Sequence, residues 1–195
     1  LSQGKITFDD SPQRIGMKAI NSINARIICR PMPDGREEVS ARIIASINDV
    51  PAEDWDACAG NANPFVRHAF LRALEVSGSV SADTGWLPQH MLISGEDGKL
   101  AACMPMYLKS HSYGEYIFDW GWAEAYERAG GKYYPKLQSA VPFTPATGER
   151  MLVRKDVSNS YYNALIASML RLAQTHNVSS LHVTFPPKNQ WDMLG

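Results

Sequence analysis

Lys136-Leu137-Gln138-Ser139-Ala140-Val141-Pro142-Phe143 and, further on, Leu181-His182-Val183-Thr184-Phe185-Pro186-Pro187 decide the fold. Each run is extended in character and ends at proline, which has no N–H to give to a ladder and so marks where pairing stops. Between them, Ser158 or Asn159 caps a helix over 159–176, with Tyr162, Leu165, Ile166, Met169 and Ala173 at helical spacing. Strand, helix and strand in that order predict two parallel neighbours, 136–143 and 179–185, joined by a right-handed crossover. Their carboxyl ends lack donors. They either splay into a V-shaped notch, at the edge where open α/β sheets bind ligands, or simply stop. The residues leave both readings open.

Working outward, His90–Ile93 and Leu100–Leu108 read as strands joined by Gly95-Glu96-Asp97-Gly98, where Asp-Gly supplies the positive φ of a hairpin turn. Arg42–Ile47 has the β-branched character of a strand. Pro51 opens a short helix holding Trp55 and ending at Gly60, and Asn63-Pro64 caps a second helix, through Val66, Phe70 and Leu74, ending at Gly78. A further helix spans Ala123–Ala129 and closes at Gly130-Gly131. Arg150–Val153 is extended, and a last helix begins at Lys188. The sum is an α/β architecture with a mixed sheet flanked by helices. Residues 1–40 read as an N-terminal extension, with a helix from Ser11-Pro12 through Ile20, Ile23 and Ile27 that ends at Pro31-Met32-Pro33. Residues 41–195 form the domain proper.

Composition narrows the function. Of 195 residues, 45% are hydrophobic and 20% charged, which is globular composition. Nineteen basic residues against twenty acidic ones give a net charge of −1, so no whole-chain electrostatic attraction to DNA or an anionic membrane exists. The run Leu100–Leu108 is far short of the roughly 20 apolar residues a membrane span needs. Cys29, Cys58 and Cys103 are scattered and odd in number, which fits a reducing, cytoplasmic setting rather than a disulfide framework or a zinc pair. The chain begins at Leu1 and stops inside a helical pattern, as expected of a piece of a longer protein.

No dinucleotide, phosphate-loop, zinc-protease or nucleophile-elbow motif occurs. His68, His90, His111, His176 and His182 fall at no metal-ligand spacing, so no metal site is expected. Groups that move protons gather instead between Ser110 and Trp120. On a helix His111, Glu115 and Asp119 would share one face; as a loop, the same groups would serve the backbone. Tyr113, Tyr116, Phe118 and Trp120 would shelter Glu115 from solvent.

Asn63-Pro64-Phe65, Thr84-Gly85-Trp86-Leu87-Pro88-Gln89-His90, Lys109-Ser110-His111-Ser112, Gly114-Glu115-Tyr116, Tyr133-Tyr134-Pro135-Lys136-Leu137, Val141-Pro142-Phe143-Thr144-Pro145, Thr147-Gly148 and Ser180-Leu181-His182-Val183-Thr184-Phe185 follow in an order that resembles a bacterial family of predicted N-acyltransferases. That family is related to the Fem-type peptidoglycan aminoacyltransferases and the GNAT superfamily, and the resemblance covers about residues 41–195. It implies a GNAT-like fold, this chain being the first half of a tandem whose second GNAT-like half is its partner. It implies transfer of an acyl or aminoacyl group to a small-molecule or peptide amine. Glu115 or His111 would take the amine proton, and an N–H at Phe143 or Thr144 would steady the oxyanion. Acyl-CoA would lie in the notch, its phosphates held by Lys136, Arg150, Thr147-Gly148 and the start of helix 159–176. The usual glycine-rich pyrophosphate loop of GNAT enzymes is missing between Thr144 and Ser160, and a Fem-like enzyme would use aminoacyl-tRNA instead. The alternative is a non-catalytic half that is structural or binds the acceptor.

Overall fold

The computed structural model describes residues 26–29, 39–116 and 118–195. Among them run nine strands and five helices: β1 (Arg26–Cys29), β2 (Val39–Ile44), α1 (Ala52–Ala59), α2 (His68–Val76), β3 (Trp86–Pro88), β4 (His90–Ser94), β5 (Leu100–Met104), β6 (Tyr107–Lys109), α3 (Trp120–Arg128), β7 (Lys136–Ser139), β8 (Leu152–Val153), α4 (Ser160–Thr175), β9 (Leu181–Val183) and α5 (Lys188–Leu194). No helix among the described residues is long and apolar enough to cross a membrane.

The strands form two sheets, not the single mixed sheet expected. The first, in the order β1-β2-β4-β5-β8, is antiparallel throughout; the second, β3-β6-β7-β9, is antiparallel except for the parallel pair β7–β9. The division comes from prolines. Leu100–Leu108 reads as one strand, but Pro105 interrupts it, and β5 and β6 enter different sheets. The facing strand breaks at Gln89, just after Pro88. A long hairpin over 86–109 therefore bends once and gives two strands to each sheet, its bend tied by Gln89 N–H to the Met106 carbonyl (2.8 Å) and by Ser139 Oγ to the Pro105 carbonyl (2.8 Å).

Alternation then sets the layers. Ile43, Met91, Ile93, Ala102 and Met104 project from one face of the first sheet and pack with Leu165, Met169 and Leu172 of α4. Ile44, Leu92 and Cys103 project from the other and pack with Trp55 and Cys58 of α1 and Leu71 of α2. Trp55 is fully buried, and its indole N–H donates to the Val66 carbonyl at 2.8 Å. The caps fall where their residues require: Gly60 ends α1 at φ 65°, and the Asn63 side chain accepts from Phe65 N–H.

One expectation about the N-terminal region is corrected. Ile27 lies in a strand, β1, which pairs with β2 antiparallel, and not on a helix; residues 1–25, on which the rest of that expectation falls, lie outside the described residues.

Candidate functional site

The parallel pair fixes the position of the site. Leu137, Gln138 and Ser139 stand opposite Leu181, His182 and Val183, and the last ladder bond runs from Thr184 N–H to the Ser139 carbonyl at 3.0 Å. Beyond it the chains part. Pro142 and Pro186 donate nothing, and each strand leaves the sheet through a phenylalanine in left-handed backbone, Phe143 at φ 58° and Phe185 at φ 53°. A bulky L-residue there costs about 1–2 kcal/mol, and such strain collects at functional sites. Of the two readings left open, the structure has a half-open cleft of about 70 Å³ at the carboxyl ends of β7 and β9, with Ala140, Phe143, Thr144, Thr184 and Phe185 among its walls.

The cleft's floor is one face of the second sheet. In that sheet Trp86 faces Lys109, Lys109 faces Lys136, and Gln138 faces both Tyr107 and His182, so these side chains share a face while Leu87, Leu108, Leu137 and Leu181 take the other. The arrangement sets two lysines directly opposite one another, both buried. Like charges so placed repel, and the segment after β6 supplies the compensation. A turn over 112–115, closed by Glu115 N–H to the Ser112 carbonyl and by Gly114 at φ 77°, swings two carboxylates over the sheet. Glu115 forms an ion pair with Lys109 at 3.0 Å, not aligned as a hydrogen bond, and its other oxygen receives Gln138 Nε2 at 3.5 Å. Asp119 forms the ion pair with Lys136.

Burial lowers the Lys109 ammonium, the charge and hydrogen bonding of Glu115 offset part of this, and with smaller opposing effects of Lys136 and Asp119 the net is about 8. Lys109 Nζ also sits 3.4 Å from the Trp86 ring centroid. His182 is half-buried, and burial first and Lys136 second lower its pKa, which keeps the imidazole neutral. Burial and then Asp119 push the Tyr133 phenol up to about 12.

Several sequence-based site residues therefore meet and others do not. Glu115, Lys136, Phe143 and Thr144 line the cleft. His111 does not; Tyr113 N–H donates to its Nδ1 at 3.2 Å, and its ring lies where a side chain on Gly85 would fall. The shared helix face of His111, Glu115 and Asp119 is absent because 111–116 and 118–119 are irregular. Nor do the neighbouring aromatics shelter Glu115. Tyr113, Tyr116, Phe118 and Trp120 are exposed, and the sheet beneath leaves the Glu115 side chain 12% accessible. Of the two N–H groups expected to face an oxyanion, Thr144 donates to the Val141 carbonyl at 3.2 Å; Phe143 N–H has no acceptor among the described residues.

Arg150 and its loop serve the scaffold. The guanidinium is wholly buried and donates to the carbonyls of Ala146 (2.6 Å), Gly148 (2.9 Å) and Glu149 (3.2 Å), and burial lowers its pKa to about 10. Gly148 N–H donates to the Phe185 carbonyl at 3.1 Å, and the Asn63 amide occupies the space a Cβ would need. Thr147 is exposed, away from the cleft walls.

Trp86, Lys109, Gln138 and His182 were not selected from sequence, and Asp119 was grouped there with His111 rather than with Lys136. A faint signal existed in Tyr107-Leu108-Lys109 and Lys136-Leu137-Gln138, where a lysine alternates with leucine in a strand next to the parallel pair.

The fold is that of a mixed α/β protein with a cleft at the ends of its parallel strands. The chain belongs to the FemAB-like family, whose model, described as peptidoglycan biosynthesis/recognition, matches residues 46–195. Comparison with curated proteins and with solved structures gave no match.

Proposed function

We propose that this chain transfers an acyl or aminoacyl group to an amine acceptor in the cleft at the ends of β7 and β9, in a GNAT-like half of a two-half enzyme. One observation carries the reading: Glu115, a carboxylate 12% exposed, stands in a cleft between two parallel strands that part at strained phenylalanines. The family's peptidoglycan description supports an acceptor of that chemistry.

The acceptor enters as a free amine. Its nitrogen attacks the donor carbonyl, forming the C–N bond, and passes one proton to Glu115. Phe143 N–H is available to the oxygen that gains charge. The tetrahedral centre collapses, the bond to the departing oxygen or sulfur breaks, and the leaving group carries off the proton returned by Glu115. Lys109 holds the carboxylate in place.

Acyl-CoA as donor finds no support at Thr147, Gly148 and Arg150. A pyrophosphate needs free N–H groups, and Gly148 N–H and both Nη groups of Arg150 are given to carbonyls within the fold, while Arg150 Nε is buried; Lys136 is likewise engaged by Asp119. No step is therefore drawn through coenzyme A. The same engaged donors favour a second reading, an acceptor-binding half whose chemistry lies elsewhere. Glu115→Gln separates the two. Amide formation followed by mass spectrometry should slow by about 10²–10⁴-fold with acceptor binding little changed. Unaltered turnover would remove Glu115 and leave the binding reading.

A further inference from the structure

The cleft holds buried polar atoms that the fold leaves unsatisfied. Trp86 is 1% exposed, and its Nε1–H has no acceptor among the described residues; Gln138 is 3% exposed, and its Oε1 has no donor. Both side chains line the cleft, from strands β3 and β7 of the same sheet face. The orientation of the Gln138 amide follows from chemistry. Glu115 Oε2 accepts only, so the group facing it is Nε2, and Oε1 is turned away from it. Buried groups left unpaired are rare and costly, and in a cleft they mark what a ligand supplies.

A single group that satisfies both atoms accepts one hydrogen bond and donates another. A carboxylate satisfies Trp86 but sets an acceptor against Gln138 Oε1 and adds charge beside Glu115. An ammonium satisfies Gln138 but leaves the indole N–H unmet. A secondary amide meets both, with no charge to desolvate, and a group of that size fits a cleft of about 70 Å³.

We propose that Trp86 and Gln138 form an amide-reading subsite: the carbonyl oxygen of a secondary amide on the acceptor accepts from Trp86 Nε1–H, and the amide N–H donates to Gln138 Oε1. The word acceptor rests on the transfer reading above; the binding of an amide does not. Two ligand sources share this chemistry, a peptide bond and the acetamido group of an amino sugar.

The test uses the 195-residue chain labelled with ¹⁵N, with the Trp86 indole signal assigned through Trp86→Phe. Three probes are titrated: N-acetyl-lysine N-methylamide, N-acetylglucosamine, and cadaverine, which has amines but no amide. One or both amide probes should move the indole signal saturably, cadaverine should not, and whichever amide works identifies the source. Trp86→Phe keeps a ring against Tyr107 and Phe143 and should weaken amide binding about tenfold, as should Gln138→Met. If Gln138→Met does not fold, the Trp86→Phe affinity decides. A shift with cadaverine equal to that with the amides overturns the proposal, as does no shift with either amide or an unchanged affinity in Trp86→Phe. Its failure is separable from that of the transfer reading. Amide binding without any acyl transfer upholds the subsite and removes the chemistry. Glu115-dependent transfer at equal rates to cadaverine and to the free amine of N-acetyl-lysine N-methylamide does the reverse.

Discussion

Lys109 lends itself to a quantitative test. Its side chain is wholly buried, and its ammonium titrates at about 8 in the fold against an ordinary 10.5. Between those values the unfolded chain holds a proton that the folded chain has released. The unfolded state then binds more protons, so stability rises with pH across the window. With each pKa unit worth 1.36 kcal/mol, the gain attributable to Lys109 between about pH 7.5 and 9.5 is about 2 kcal/mol. Lys109→Met fills similar space without a titrating group. Urea unfolding of both proteins at fixed ionic strength should give a difference in unfolding free energy that moves by this amount in favour of wild type over the window. Tyrosines and cysteines that ionise nearby are common to both proteins and cancel. At neutral pH the variant leaves Glu115 without its counter-charge, so Lys109→Met/Glu115→Gln should be more stable than Lys109→Met alone. Parallel pH dependences in wild type and Lys109→Met would refute the reasoning, because they would mean that Lys109 titrates alike in folded and unfolded chains.

Other expectations concern positions away from the cleft floor. Burial raises the Glu75 carboxyl, but the hydrogen bond and charge of His90 (2.8 Å), with Ser46 and Ile47, outweigh it and leave it below the usual range. Its contribution is present above about pH 4.5 and lost as pH falls through the folded value; Glu75→Leu should cost about 2–4 kcal/mol by chemical denaturation and abolish that acid dependence. Asn177 follows α4 at φ 48°, so Asn177→Gly should raise stability by a few tenths of a kcal/mol and Asn177→Val lower it by about 1 kcal/mol in thermal melts. Gly85 sits at φ 77° with the His111 ring 2.6 Å from an added Cβ, so Gly85→Ala should cost about 1–3 kcal/mol and shift the His111 ring resonances.

Local chemistry made much of this molecule readable in its sequence. Asp97-Gly98 announces the β4–β5 turn, Gly60 marks the end of α1, and of the residues at helical spacing Leu165 and Met169 lie on the buried face of α4, whereas Asn63 caps only a short turn ahead of α2. The parallel pairing of β7 with β9 follows from the helix between them and the prolines after them. What stayed hidden depends on non-local partners. Pro105 looks like a flaw in one strand until its neighbour at Gln89 bends with it, and then it divides two sheets. A lysine in an alternating strand reads as the wet side, and only the irregular turn at 112–115 reveals that Lys109 and Lys136 are covered and matched by carboxylates. Arg150 misleads for the same reason: two residues after Gly148 it suggests a phosphate clamp, whereas its partners are carbonyls of its own loop. Exposure of Tyr113, Tyr116, Phe118 and Trp120 runs against their apolarity, and α3, which Trp120 opens, likewise buries no residue.

The bend at Gln89 and Pro105 bears on how the molecule comes apart. Because the 86–109 hairpin gives strands to both sheets, neither sheet has a boundary in the chain along which it can be peeled away. Loosening β6 at the cleft drags on β5, and through it on the layer under α4. Amide exchange at Leu108 and at Cys103 should accordingly follow one shared opening event rather than two, and protection measured at the cleft floor becomes a gauge of the whole domain's integrity.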